Sequence, residues 1–297
     1  MNRLLDRSKF TFRVLLAVLA TVTCGAAHAG VIADGATPVK VSEGLSFGEG
    51  PAVDADGDIF FSDVMKAQIR HYTLDGKTAI VYEKTGGANG LYLDSAGNLY
   101  ACEGRNRRIT MRTPTGDLSV VADNWEGKKF NQPNDLWVDA KGGVYFTDPS
   151  YTAIQGGQEI DGEYVYYIKA GGEAVRVAND LKRPNGIKGT ADGKTLYVAD
   201  HLGNAMHRYD IGADGMLSNM KAVVDRGSDG ITLDEKGNLY LTGEKIVQIY
   251  SPDGALLETI DFPGQTTNCT FGGKDLKTLF VTCTNGLYSL AMTVKGQ

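Results

Sequence analysis

The sequence predicts an all-β fold, a six-bladed β-propeller closed by an N-terminal strand, and three observations carry that prediction. A polar, Gly-bearing turn followed by an apolar, β-branched and aromatic run occurs six times: DADGDIFFSD (54–63), DSAGNLYACE (94–103), DAKGGVYFTD (139–148), TADGKTLYVAD (190–200), DEKGNLYLTG (234–243) and GKDLKTLFVTC (273–283). The aromatic residues Phe60, Tyr100, Tyr145, Tyr197, Tyr240 and Phe280 recur at intervals of 40, 45, 52, 43 and 40 residues, a period that belongs to propeller blades or solenoid coils. Five residues ahead of each unit stands a polar side chain: Glu49, Asn89, Asn134, Asn185, Asp229 and Asn268. Units arranged around an axis would bring these six to one mouth of a central channel.

The chain opens on a different kind of segment. Arg3, Arg7, Lys9 and Arg13 precede the apolar stretch VLLAVLATV (14–22), and Ala27-His28-Ala29 has the small residues of a cleavage site. This predicts a secretory signal over residues 1–29, cleaved after Ala29, and a secreted or periplasmic mature protein of residues 30–297. A membrane span needs about 20 apolar residues, and this run is roughly half as long, so no membrane attachment is expected after cleavage. Loss of four basic residues and Asp6 makes the formal charge of −6 more negative still. Such a balance disfavours nucleic acid and anionic membranes as partners.

Beyond residue 29 the chain reads as one repeat-built body. Glycine makes up 38 of 297 residues, well above the usual ~7%, and much of it lies in DG, GG or KG turns, where positive φ is tolerated. Alternating segments such as IRHYTL (69–74), ITMRTP (109–114) and VQIYS (247–251) read as half-buried strands. The gaps between units supply the remaining strands of each blade, for example TAIVYE (78–83) and AMHRYD (205–210). The last unit ends at GLYSL (286–290) without a fourth strand, and PVKVSEGL (38–45) is placed to provide it. Closure of this kind protects sheet edges. Each innermost strand is expected to begin just after its ring residue. Cys102, Cys269 and Cys283 remain after residue 29; a Cys269–Cys283 bridge and three small buried thiols are both open readings.

A lone Asn or Asp before a strand is ordinarily a turn residue, but turn residues have no reason to keep a fixed offset. Two carboxylates, Glu49 and Asp229, converging with several amide oxygens suit a hard cation. The ring has no His or Cys, which argues against zinc and copper. Calcium accepts about 6 to 8 oxygen ligands in irregular geometry, which fits better than magnesium. An open cation site polarises a carbonyl or phosphoryl oxygen, so a hydrolase is expected. Other motifs are weaker. GLSFG (44–48) matches a nucleophile elbow but lacks the strand-turn-helix context, and DADGD (54–58) lacks the downstream Glu of a calcium loop, position 65 being Met65. His71 and His207 are expected on the surface of outer strands, and His201 near the mouth. Glu103 and Arg105 lie on a blade connection that could line a pocket, with Tyr151 a pocket-wall residue.

At FGEGP (47–51), ANGLYLD (88–94), QPNDLWVD (132–139), YFTDPSY (145–151), RPNGI (183–187), KTLYVAD (194–200), SDGITLD (228–234) and TNCTFGGKDLKTLFVT (267–282), the chain resembles the gluconolactonase, regucalcin (senescence marker protein) and luciferin-regenerating enzyme family of six-bladed propellers. The resemblance spans about residues 43–290. It implies calcium, or another divalent ion such as zinc, manganese or magnesium, held by Glu49, Asn185 and Asp229, with Asn134 a ligand or beside the substrate. It further implies Asp229 as catalytic acid/base and a small lactone, such as gluconolactone, opened to its hydroxy acid. Two places depart from the family. Gln132 stands where the regucalcin branch has arginine, and Cys102-Glu103-Gly104-Arg105 stands where bacterial lactonases often carry Cys-Glu-His-Gly. Substrate contacts by Gln132, Glu103, Arg105, Tyr151 and His201 are therefore less transferable than the metal set. Two rival readings share the fold: an organophosphate or arylester hydrolase on the same ion, and a secreted binding propeller whose ring is merely structural.

Overall fold

A computed structural model describes residues 30–297, so the expected signal segment 1–29 lies outside the described residues. The described chain contains six four-stranded antiparallel sheets and one two-stranded hairpin, and no helix. We number the sheets as blades 1 to 6 in chain order. Their innermost strands are Gly48–Val53, Ala88–Leu93, Leu136–Val138, Pro184–Gly189, Ile231–Leu233 and Thr266–Gly272. Val39–Glu43 pairs antiparallel with Gly286–Ala291 as the outermost strand of blade 6, with Glu43 opposite Gly286. The ring is thus closed by the N-terminal strand, as its sequence position predicts.

Inner strands such as Thr266–Gly272 are buried throughout, outermost strands such as Thr78–Glu83 are largely exposed, and buried apolar side chains meet between neighbouring blades. Ile59 and Phe61 of blade 1 pack on Phe280 and Leu287 of blade 6, and Trp137 and Tyr145 of blade 3 pack on Ile187 and Val198 of blade 4. Each buried side chain of this size contributes about 1.5–3 kcal/mol. The core is therefore distributed around the ring between blades.

The two longest intervals between repeat aromatics have structural causes. The extra hairpin, Asn124–Trp125 paired with Lys128–Lys129, stands between blades 2 and 3. An irregular loop joins Val144–Asp148 to Tyr164–Ile168 within blade 3 and carries Tyr151.

One expectation needs correction. The inner strands of blades 1, 2, 4 and 6 do not begin after the ring residue but contain it, and in each the pairing register shifts at that point, as between Glu49 and Ala52. A bulge bends the strand and re-aims a side chain, which turns Glu49, Asn89, Asn185 and Asn268 toward the axis. Backbone closeness there requires glycine. Gly50 has φ of 43°, and a Cβ on it would lie 2.0 Å from Asn89 O.

Hydroxyl groups stitch the blades together at the same level. Ser62 Oγ donates to Asn89 O (2.9 Å), Thr147 Oγ1 to Asn185 O (2.8 Å), Thr242 Oγ1 to Thr267 O (2.7 Å) and Thr267 Oγ1 to Gly48 O (2.7 Å). Between blades 2 and 3 the link is Gly90 N–H to Asn134 O at 2.7 Å. The cysteines lie between these layers: Cys269 pairs with Val281 rather than Cys283, so the bridge reading is overturned, and Cys102, Cys269 and Cys283 are free and buried. His207 is also buried, at 9% exposure, because the neighbouring strands cover its face.

Thr267→Val removes the hydroxyl that joins blade 6 to blade 1. It is expected to cost about 1–3 kcal/mol in urea denaturation, whereas Thr267→Ser, which keeps the hydroxyl, retains most of that stability.

Candidate functional site

Glu49, Asn185 and Asp229 come together at one mouth of the channel, and Asn134, like Asp229, precedes an inner strand that shows no bulge. Glu49 is 3% exposed, and its Oε2 accepts the Gly50 N–H at 2.8 Å. Burial first, and then the carboxylates of Asp229 and Asp135, push Glu49 well above the usual carboxylate range, against hydrogen bonds from Gly50 and Asn268. Burial also raises Asp229 to about 7, with Asp135 adding repulsion and the Asn185 hydrogen bond opposing. The acids thus share one poorly solvated space.

Asn185 holds this mouth together. Its Nδ2 donates to Asp229 Oδ1 at 2.7 Å and to Tyr151 OH at 2.6 Å. Both amide hydrogens are spent, so Oδ1 is left as an unengaged acceptor. Asn134 is fixed through its backbone, its N–H donating to Thr147 O at 2.9 Å and its carbonyl accepting from Gly90. The Oδ1 of Asn89, the ring member of blade 2, is buried without a hydrogen-bond partner.

One residue that the ring pattern misses adjoins these acids. Asp135 follows Asn134 and is 6% exposed; its Oδ2 accepts Asn268 Nδ2 at 3.1 Å, a contact between opposed blades 3 and 6 that crosses the axis. Burial raises Asp135 to about 6, opposed by the hydrogen bonds from Asn268 and the backbone and by Lys188. Beneath that contact is a chamber of about 120 Å³ lined by Asp135, Lys188, Tyr92, Cys269 and Thr270. A sequence signal existed. Gly50, Gly90, Gly186 and Gly230 occupy the place after the ring residue in four blades, and Asp135 is an exception.

The remaining sequence candidates take varied positions. Tyr151 stands at the mouth, its ring centroid 6.2 Å from that of His201, which is exposed. Gln132 turns its amide into the Tyr151 loop, Oε1 accepting the N–H groups of Tyr151 and Thr152 at 2.8 and 3.1 Å. The Glu103 carboxylate is buried among Asn106, Arg108 and Thr110. Arg105 donates to the carbonyls of Val64 and Met65, tying blade 2 to a loop of blade 1. The polar groups of these last three side chains are engaged within the chain. Asp54, Asp58 and His71 form a separate acidic group at the other end of blade 1, where Asp54 Oδ1 caps its own turn.

Could this mouth hold a divalent cation? The side chains gathered there offer oxygen donors, the Glu49 and Asp229 carboxylates and the amide of Asn185, whose Nδ2 contacts Asp229. Crowded buried acids are neutralised by protons or by a metal ion, and an all-oxygen set with neutral amides fits a hard cation of the calcium type. The residues fit the group.

The family model described as SMP-30/Gluconolactonase/LRE-like region matches residues 47–285. A gluconolactonase of Zymomonas mobilis is 31% identical, covering 86% of this chain and 82% of that protein. Human regucalcin is 23% identical, covering 84% and 82% respectively. Among solved structures, a gluconolactonase of Xanthomonas campestris superposes with a TM-score of 0.82 at 27% identity, covering 90% of this chain and 92% of that one. The calcium-binding protein regucalcin of Agrobacterium tumefaciens shares the fold, with a TM-score of 0.74 at 22% identity, covering 91% and 95%. The match of the family model over most of the described residues, with a relative at 31% identity across the same body, is decisive: the chain belongs to the SMP-30/gluconolactonase/LRE-like family.

Proposed function

We propose that this protein is a divalent-cation-dependent lactonase that opens a sugar lactone, such as gluconolactone, to its hydroxy acid, with calcium as the expected ion. The observation that carries this reading is the convergence of Glu49 and Asp229 with the amide of Asn185 at one channel mouth. Membership of the family, and a relative named gluconolactonase at 31% identity, support the same reaction class.

Glu49, Asn134, Asn185 and Asp229 would hold the ion. Lewis-acid polarisation of the lactone carbonyl is what a divalent cation supplies when bound there. The chain's own residues supply the proton traffic. Asp229, buried beside other acids, takes a proton from the attacking water as its oxygen bonds to the carbonyl carbon. The ring carbon–oxygen bond then breaks, Asp229 returns the proton to the departing alkoxide, and the new carboxylic acid loses its own proton to solvent. Tyr151, exposed beside the mouth, would contact the sugar hydroxyls, and Asn134 would either bind the ion or border the substrate.

We read residues 1–29 as a secretory signal that directs this enzyme out of the cytoplasm. Intact-mass measurement of protein recovered from the periplasm or medium should give a chain beginning at Gly30, and a cytoplasmic chain retaining Met1 would refute the reading.

A lactone panel that includes glucono-1,5-lactone, followed by acid release with and without chelator, tests the reaction and the ion together. Asp229→Asn is expected to lower turnover by about 10²–10⁴-fold with the fold intact. Glu49→Gln should act mainly on cation affinity, with activity returning as calcium is raised. Near-normal hydrolysis by Asp229→Asn, or full activity in chelator, would sink the assignment.

The raised acids also set a pH dependence. Without a cation, Asp229 binds its proton more tightly in the folded chain, near 7, than at its ordinary 3.8, so its contribution is favourable at low pH and is lost as pH rises through about 7. A cation competes with that proton. The gain in melting temperature from added calcium, relative to chelator, should therefore grow between pH 4 and 7, and a pH-independent gain would count against the site.

A further inference from the structure

The two asparagines of the proposed cation site sit in matching tripeptides, Gln132-Pro133-Asn134 on blade 3 and Arg183-Pro184-Asn185 on blade 4. In each, proline biases the preceding residue to an extended conformation, and the side chain two places before the asparagine turns to the loop that carries Tyr151. Gln132 fastens that loop by its backbone: Oε1 accepts the Tyr151 and Thr152 N–H groups, and Nε2 donates to Thr152 Oγ1 at 2.6 Å. Arg183 lies over the Tyr151 ring, its guanidinium 5.1 Å from the centroid. That guanidinium is itself held by two 2.9 Å hydrogen bonds to Glu163. His201 closes the ring's edge. Both tripeptides thus converge on one tyrosine, and the tyrosine hydroxyl reaches back to the asparagine of the second.

We propose that Tyr151 is a positioning residue for the cation site: its hydroxyl accepts one amide hydrogen of Asn185 and so fixes the orientation of that side chain. The other amide hydrogen goes to Asp229. Without the tyrosine oxygen, one of the two anchors that determine the amide's orientation is gone, and the amide is free to turn away from the set that binds the ion. Because the hydroxyl accepts from Asn185, its own hydrogen remains available to a substrate oxygen above the site. The loop of blade 3 therefore couples substrate contact to the set of the metal ligand. The inference rests on the cation reading above.

The test is Tyr151→Phe, which keeps the ring against Arg183 and removes only the oxygen. Calcium binding is measured by isothermal titration calorimetry on the metal-stripped full protein, alongside its thermal denaturation. Affinity is expected to fall about 10- to 100-fold, the range seen when a group orienting a metal ligand is lost, while the melting temperature of the stripped protein stays unchanged. Gln132→Ala, which frees the loop but keeps the hydroxyl, should weaken calcium less. In lactone assays, kcat of Tyr151→Phe should approach wild type as calcium saturates, with KM still raised. Calcium affinity within twofold of wild type would overturn the positioning role. Failure of the wild-type protein to bind any divalent ion would overturn the cation reading on which it rests.

Discussion

The site depends on hydrogen bonds that run from one blade to the next at the start of the inner strands. Ser62, Thr147, Thr242 and Thr267 donate to backbone carbonyls of a neighbouring blade, and two of those carbonyls belong to the ring residues Asn89 and Asn185. The position of a ring side chain is consequently set by its neighbours as much as by its own turn. Glycine after the ring residue lets the blades approach closely enough for these bonds: a Cβ on Gly230 would lie 2.1 Å from Asn268 Cγ. Three acids, Glu49, Asp135 and Asp229, are buried at this level. Burying unpaired charge is unfavourable, and only a backbone pinned from both sides keeps the acids from moving apart. This rigidity is what a preorganised metal or catalytic site requires.

Much of this was legible in the residues. The repeat of turn and aromatic run revealed the blades, the missing last strand revealed the closure by Val39–Glu43, and the constant offset revealed the ring. Even the irregular intervals carried meaning, since the longest, between Tyr145 and Tyr197, contains the loop with Tyr151. These features are local and periodic, and periodicity is what one sequence displays best.

What stayed hidden depends on partners distant in the chain. Asp135 stands beside a ring residue that already explained its segment, and its bond to Asn268 spans 133 residues. Gln132, Glu103 and Arg105 sit on the loop side, as their positions suggest, but the atoms that occupy their polar groups belong to other loops or strands. His207 reads as an outer-strand surface residue, yet packing in blade 4 covers it. Cys269 and Cys283 lie on adjacent strands, and a difference in register keeps them apart.

The hydrogen bond between Asp135 and Asn268 gives the molecule a direction. It joins two opposed blades across the axis, and both of its side chains also line the chamber around Lys188. A molecule bound against Glu49 and Asp229 would have Tyr151 beside it, since that residue feels the charge of both acids. Its reacting end must point down, and any bulky remainder must stand up among Tyr151, Arg183 and His201. The shape of that rim is then the natural place for related proteins to diverge in what they accept.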